Sequence, residues 1–293
     1  MTFFFEVLIA GLLTGVMYSL VALGLVLIFK ASGILNMSQG AMALFAALTF
    51  VSLLEMGLNY WLALVIILVM MVAHAFIVER VVLRPLVNQP LITLFMVTIG
   101  WAYFLEGFAQ FLWGTVAHNL ELGIPDDAFF VMDVMISQFD IVAAVVAAVL
   151  VTVLAVFFNK TRVGLALRAV ADDHQGAMSV GIPLRHVWVA VWIVAGIVAI
   201  VAGLMWGARI GISFALITLI LKAFPVIILG GFTSITGAVV GGLIIGASEK
   251  VAEVYLGPFV GGGIENFFPY LLALIFLLIL PNGLFGDVHI DRV

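Results

Sequence analysis

Polar positions fall in clusters along this chain, and between them lie long apolar blocks near residues 7–29, 41–54, 60–78, 91–113, 141–158, 187–208, 214–229, 237–248 and 266–280. A helix needs about 20 apolar residues to cross about 30 Å of hydrocarbon, so the blocks predict an all-α, polytopic membrane helical bundle of about eight to ten spans. Two blocks, 41–54 and 237–248, are too short to cross unaided, and each follows broken sequence: ASGILNMSQG at 31–40 and GGFTSITG at 230–237. Non-helical backbone at membrane depth is tolerated only where protein buries it or it lines a cavity. The breaks therefore predict discontinuous spans bordering a translocation route, with Asn36, Ser38, Gln39 and Thr236 as candidate lining residues. Ser38-x-Gly40-Ala41 in one half and Thr236-Gly237-Ala238 in the other hint at an internal repeat. The plainer alternative is that Gly, Ser and Thr here allow helices to pack closely.

Composition agrees with the pattern. The chain is 66% hydrophobic and 9% charged, with a mean hydropathy of +1.35, whereas a soluble domain has roughly 25% charged residues. Little is left for a soluble domain. Cysteine is absent, which excludes disulfides, thiolate metal sites and a cysteine nucleophile. The opening MTFFFE lacks a basic n-region, so the first span is expected to be retained. Lys and Arg set orientation. Loop 79–90 carries Arg80 and Arg84, and loop 159–186 carries Lys160, Arg162, Arg168 and Arg185; loop 114–140 carries Glu121, Asp126, Asp127, Asp133 and Asp140 without a cation. The basic loops are expected inside and the acidic one outside. Alternation then puts the N-terminus outside and Lys30 and Arg292 inside, with Arg209 as an exception on the outer side.

No enzyme constellation is present. There is no HExxH, GxSxG or GxxxxGK[ST], and the histidines at 74, 118, 174, 186 and 289 are scattered. Ionisable residues inside spans are costly and mark function. Glu106, with Gln110 one turn on, lies within 91–113, and Lys222 lies within 214–229. Glu106 and Lys222 could pair, or could line a route for a zwitterionic solute; spacing leaves both open. His74 reads as structural, and Glu249, Lys250 and Glu253 as an interfacial cluster near the outer surface.

Segment 168–182, RAVADDHQGAMSVGI, is a charged stretch between apolar blocks. It is helix-compatible from about residue 165 to 180 and stops at Gly181 before Pro183. A helix lying on lipid headgroups would suit Arg162 and Arg168. Asp172, Asp173, Ala177 and Gly181 suit a protein groove better, so the segment is expected to dock another protein.

Three stretches together, GLLTGVMYSLVALGLVLIFKASGILNMSQGAM, RAVADDHQGAMSVGI and LGGFTSITGAVVGGLIIGASE with the later PNGLFG, resemble the permease subunits of branched-chain amino-acid ABC importers, in particular the shorter of the two paired permeases. The resemblance runs nearly end to end. It implies a type II ABC importer permease-like fold and a single transmembrane permease domain over 1–293. It also implies that Arg168, Ala169, Ala171, Asp172, Asp173, Ala177 and Gly181, within a loop of about 159–187, form the coupling helix that sits on the ATPase. Asp172 stands where the family more often has Glu, and Asn36-Met37-Ser38-Gln39-Gly40 departs from the family's usual Asn-Phe-Ala-His/Gln-Gly, which leaves the solute open. Implied partners are two cytoplasmic ATPases, a paralogous permease, a periplasmic solute-binding protein and the lipid bilayer, with no nucleic acid. The implied setting is a bacterial inner membrane, with ATP-Mg used by the partner subunits and no cofactor or metal on this chain. Related permeases carry urea, short amides, or small carboxylates and aromatic acids. The rival from another class is an ion-coupled secondary transporter, which would be active as the purified chain alone.

Overall fold

A computed structural model describes residues 2–86, 89–125, 127–131, 134–172, 174–179 and 181–286. The architecture is all-α. In chain order the helices are α1 (Thr2–Ser32), α2 (Gln39–Glu55), α3 (Tyr60–Ile77), α4 (Leu91–Trp113), α5 (Gln138–Lys160), α6 (Arg162–Asp172), α7 (His174–Ser179), α8 (Leu184–Ile210), α9 (Leu219–Gly230), α10 (Ile235–Val260) and α11 (Phe268–Ile279). Six described helices are long and apolar enough to cross a membrane, and three shorter apolar ones accompany them. Each apolar block of the sequence falls on one of these. A short antiparallel hairpin, β1 (Ala128–Val131) with β2 (Val134–Ser137), lies in the acidic loop and pairs Ala128 with Ser137 and Phe130 with Met135.

The chain divides into two compact units that interleave along the sequence. One comprises residues 27–121 and 151–220. At its centre is α2, buried without interruption from Gln39 to Ser52 and packed by α8, α3, α4 and the 3-10 turn Phe214–Thr218. Because lipid tails are as apolar as leucine, membrane helices associate through close packing rather than through the hydrophobic effect. Small residues make that possible here. A Cβ on Gly203 of α8 would fall on the carbonyl of Ala43 in α2, and one on Gly40 would come within 2.5 Å of the Ile217 carbonyl oxygen. In the same unit α3 continues into a π-helical turn (Val78–Leu83) and a 3-10 turn (Arg84–Leu86), where buried Glu79 pairs with Arg84 at 3.6 Å.

The other unit comprises residues 1–26, 122–150 and 221–293. Its seam is the crossing of α1 with α10, built from Gly11-x-x-x-Gly15 and Gly242-x-x-x-Gly246. A Cβ on Gly11 would lie 2.8 Å from Ala247 Cα, and one on Gly15 would run into the Gly242 carbonyl. Ser19 Oγ donates to Gly15 O in its own helix at 3.0 Å and to Val239 O in α10 at 3.4 Å. Close packing through glycine thus occurs at this seam as well as at Gly40 beside the first break.

Arg209, the exception to the charge pattern, ends α8 with its guanidinium 6.0 Å from the ring centre of Trp206. A helix C-terminus and an aromatic face both favour a cation.

Candidate functional site

The first break is a knot of hydrogen bonds. α1 ends at Ser32, Gly33 turns the chain with φ of 67°, and α2 starts at Gln39. Asn36, Ser38 and Gln39 are fully buried. Ser38 N and Oγ donate to Asn36 Oδ1 at 3.0 and 2.6 Å, Asn36 Nδ2 reaches Gln39 Oε1 at 3.4 Å, and Gln39 Nε2 donates to Ala195 O in α8 at 3.2 Å. Thr98 of α4 closes the loop, accepting from Met37 N at 3.1 Å and donating to Leu35 O at 3.1 Å. These groups satisfy one another, as polar groups withdrawn from water must. The second break has the same logic with fewer parts: α9 stops at Gly230, and Ser234 Oγ caps α10 by accepting from Gly237 N at 2.9 Å. Thr236 stands exposed beside it, its hydroxyl 3.0 Å from Ser234 Oγ.

Lys222 and Glu106 have separate partners. Lys222 Nζ lies 3.2 Å from Glu249 Oε1 and donates to Glu265 O at 2.6 Å; Tyr18 Oη donates to the same Glu249 oxygen at 2.9 Å. Of Glu249, Lys250 and Glu253, expected as an interfacial cluster near the outer surface, Glu249 is instead a buried member of a network. Glu249 is 2% exposed, and all three sit inside α10, which runs on to Val260. Glu253 turns back to hold the following loop, accepting from Gly263 N at 3.1 Å and Glu265 N at 2.9 Å, while Lys250 pairs with Glu265 at 3.2 Å. His74 is structural as expected: buried in α3, it accepts from Trp101 Nε1 at 2.9 Å and lies against Trp192.

Leu94, Thr98, Leu105 and Ala109 are the buried positions of α4. At 100° per residue the opposite side carries Met96, Gly100, Tyr103, Gly107 and Gln110, while half-buried Glu106 lies about 90° round the helix from the centre of the buried stripe. Tyr103 is 70% exposed, and Gln110 Nε2 donates to Glu106 Oε1 at 3.5 Å. A Cβ on Gly100 or Gly107 would touch nothing within 4 Å. Gly100 also lines a groove of about 510 Å³ with Met96, Trp101 and Phe104, and Trp101, Phe104 and Phe108 stack along its flank with ring centres 4.9 and 5.8 Å apart. Tyr103 and the two glycines escaped the sequence reading. Their signal was the i, i+3, i+7 spacing of Tyr103, Glu106 and Gln110 in an otherwise apolar block.

Segment 159–187 folds as two short helices rather than one. Thr161 Oγ1 accepts from Gly164 N at 2.9 Å at the start of α6, which buries Gly164, Leu167 and Val170 and exposes Arg162, Val163 and Leu165. Arg168 is half-buried, Ala169 and Ala171 lie beside it, and Ala177 of α7 is buried. Asp172 ends α6; Asp173 lies outside the described residues. Gly181 adopts φ of 86°, and Ile182 N returns to Ala177 O at 3.0 Å. This is the left-handed stop that glycine makes without Cβ strain. In the acidic loop, Glu121 and Asp127 are exposed and Asp140 sits in the first turn of α5, while Asp126 and Asp133 lie outside the described residues.

Comparison with known proteins places this geometry in a lineage. The family model described as branched-chain amino acid transport system / permease component matches residues 7–280. The high-affinity branched-chain amino acid transport system permease protein LivH of Escherichia coli K12 is 26% identical over 310 residues, covering 99% of this chain and 98% of that one. The corresponding protein BraD of Pseudomonas aeruginosa is 25% identical over 305 residues, with the same coverage. The fructose import permease protein FruF of Bifidobacterium longum is 24% identical over 257 residues, covering 80% of this chain and 66% of that one. The solved PsaBC from Streptococcus pneumoniae aligns over 92% of this chain and 89% of that one, at 12% identity and a TM-score of 0.46. With its family matched over almost its whole length and six of its described helices long and apolar enough to cross a bilayer, the chain belongs to the branched-chain amino acid transport permease family and is a multi-pass protein of the inner (plasma) membrane.

Proposed function

We propose that this chain is the shorter of two paired permeases of an ATP-driven importer and forms, with its paralogue, the translocation pathway for branched-chain amino acids. The observation that carries the reading is segment 159–187. α6 is anchored to the chain through Leu167 and Val170, yet it leaves Val163 and Leu165 at 43% and 61% exposure beside Arg162, between two long apolar helices. A carrier working alone has no use for such a surface. An ATPase subunit does, and the chain has no phosphate-cradling motif of its own.

The mechanism follows from linkage. Two cytoplasmic ATPases bind ATP-Mg and close. Arg168, Ala169, Ala171, Asp172, Asp173, Ala177 and Gly181 make different contacts with the open and closed pair, and that difference biases which side the pathway faces. A periplasmic binding protein delivers the solute. In the unit that contains α2 and α4, Glu106 and Gln110 are the lining candidates and the knot of Asn36, Ser38 and Gln39 holds the break; in the other unit Thr236 is the lining candidate and the Lys222 network holds the helices.

The test is copurification from native membrane followed by ATPase measurement across a panel of amino acids, amides and small carboxylates. Recovery of ATPases and a second permease, with stimulation by loaded binding protein and aliphatic amino acids, is the expected result. Stimulation by urea, amides or carboxylates instead would reassign the solute. Uptake by the isolated chain under an ion gradient would overturn the importer reading, and normal coupling after Asp173→Arg with Gly181→Trp would remove the docking role.

A further inference from the structure

Glycine loosens a helix, and at the two seams described above it is there because another backbone comes close: a Cβ on Gly15 would meet the Gly242 carbonyl, and one on Gly203 the Ala43 carbonyl. Gly100 and Gly107 of α4 have no such neighbour, since a Cβ on either would meet nothing within 4 Å among the described residues. They stand in a repeat. Met96, Gly100, Tyr103, Gly107 and Gln110 follow one another at steps of four, three, four and three residues, the period of about 3.5 residues with which one helix packs along another. All five lie on the side of α4 opposite its buried stripe, with Met96 at 55% and Tyr103 at 70% exposure.

The two edges of this stripe differ. At about 100° per residue, exposed Phe104 and Phe111 flank it on one side and half-buried Glu106 on the other. The aromatic edge adjoins the groove of about 510 Å³ that Met96, Gly100 and Phe104 share with Val82, which has room for side chains projecting from a neighbouring helix. Lipid tails would leave the Tyr103 hydroxyl and the Gln110 amide facing hydrocarbon, whereas a second helix can meet them with its own polar groups. We infer that this face of α4 is the seam against a membrane helix of the paired permease, one that lies close over Gly100 and Gly107 and brings a Lys or Arg towards Glu106. This rests on the paired-permease reading above and places its contact surface. A second copy of this chain fits worse. Two copies share one orientation in the bilayer, so their α4 helices would meet in parallel, and the edge bearing Glu106 would face the edge of its mate that bears Phe104 and Phe111. A carboxylate would then lie against phenyl rings without a cation, so the charge asks for a chain of different sequence.

The test uses the complete importer in its native membrane. With p-benzoylphenylalanine in place of Tyr103, irradiation should join this chain to a second, different permease, identified by mass spectrometry of the adduct. An adduct joining two copies of this chain, or adducts to lipid or to another subunit alone, would overturn the inference while leaving the importer reading intact. In a second arm, Gly107→Trp fills the seam at a position where a Cβ meets nothing of its own chain. It should reduce the second permease recovered with this chain at least tenfold, while the unfolding midpoint of the purified chain stays at the wild-type value. Full recovery of the second permease with that variant would overturn the inference, and the photo-adduct decides whichever way the midpoint moves. If wild-type membranes yield no second permease at all, the reading beneath it falls as well.

Discussion

Replacing Lys222 by methionine would leave Glu249 inside the protein with Tyr18 as its remaining donor. Among the described residues Glu249 Oε2 has no hydrogen-bond partner, and at 2% exposure the residue is withdrawn from bulk solvent. Removing one partner of a buried pair costs about 3–5 kcal/mol. The expected loss is therefore about 3–5 kcal/mol. Thermal unfolding of the purified chain in detergent should show a midpoint lowered by roughly 6–20 °C. Lys222→Met with Glu249→Gln should recover at least half of it, since no uncompensated charge remains. A single variant that unfolds at the wild-type midpoint, or a double variant no better than the single one, would refute the account.

Gly15→Ala places a methyl on the Gly242 carbonyl and should cost about 1–3 kcal/mol by forcing α1 and α10 apart; Gly107→Ala, in open space, should be neutral or stabilising by up to about 1 kcal/mol, and equal midpoints for the two would refute the seam. Gln39→Ala unties the knot from Ala195 and should cost about 1–3 kcal/mol, readable in the same unfolding assay, while an unchanged midpoint would mean the break is held by packing alone. Gly181→Ala strains a left-handed residue by roughly 1–2 kcal/mol; transport per ATP hydrolysed in the assembled importer should fall more than subunit recovery does.

Much of the fold was legible because hydrocarbon is an unforgiving solvent. Block 91–113 coincides with α4, and both breaks were visible from Gly, Ser and Thr where apolar residues would otherwise continue. What failed were features decided by distant partners. The block ending at 248 gave no sign that α10 continues through Glu249, Lys250 and Glu253, because the groups that stabilise those charges, Tyr18, Lys222 and Glu265, come from α1, α9 and the following loop. Spacing left the partner of Lys222 open for the same reason. The hairpin of β1 and β2 was missed, since two four-residue strands with only local pairing leave little trace in the acidic loop. That Tyr103 and Gln110 lie on the unpacked side of α4 needed the positions of Leu94, Thr98, Leu105 and Ala109 to be known first.

The enclosure of α2 bears on how the protein is made. The helix has no lipid-facing side, it is too short to cross alone, and its first residue, Gln39, finds its acceptor in Ala195, 156 residues later in the chain. At about 5–20 residues per second of synthesis, the amide waits on the order of ten seconds for that carbonyl to emerge. During that interval α2 is an unfinished guest in the membrane, held by α3, α4 and its own local hydrogen bonds, and the arrival of α8 completes its shelter. Delayed or truncated synthesis after α4 should therefore leave the central helix of this unit as the first target for quality-control proteolysis.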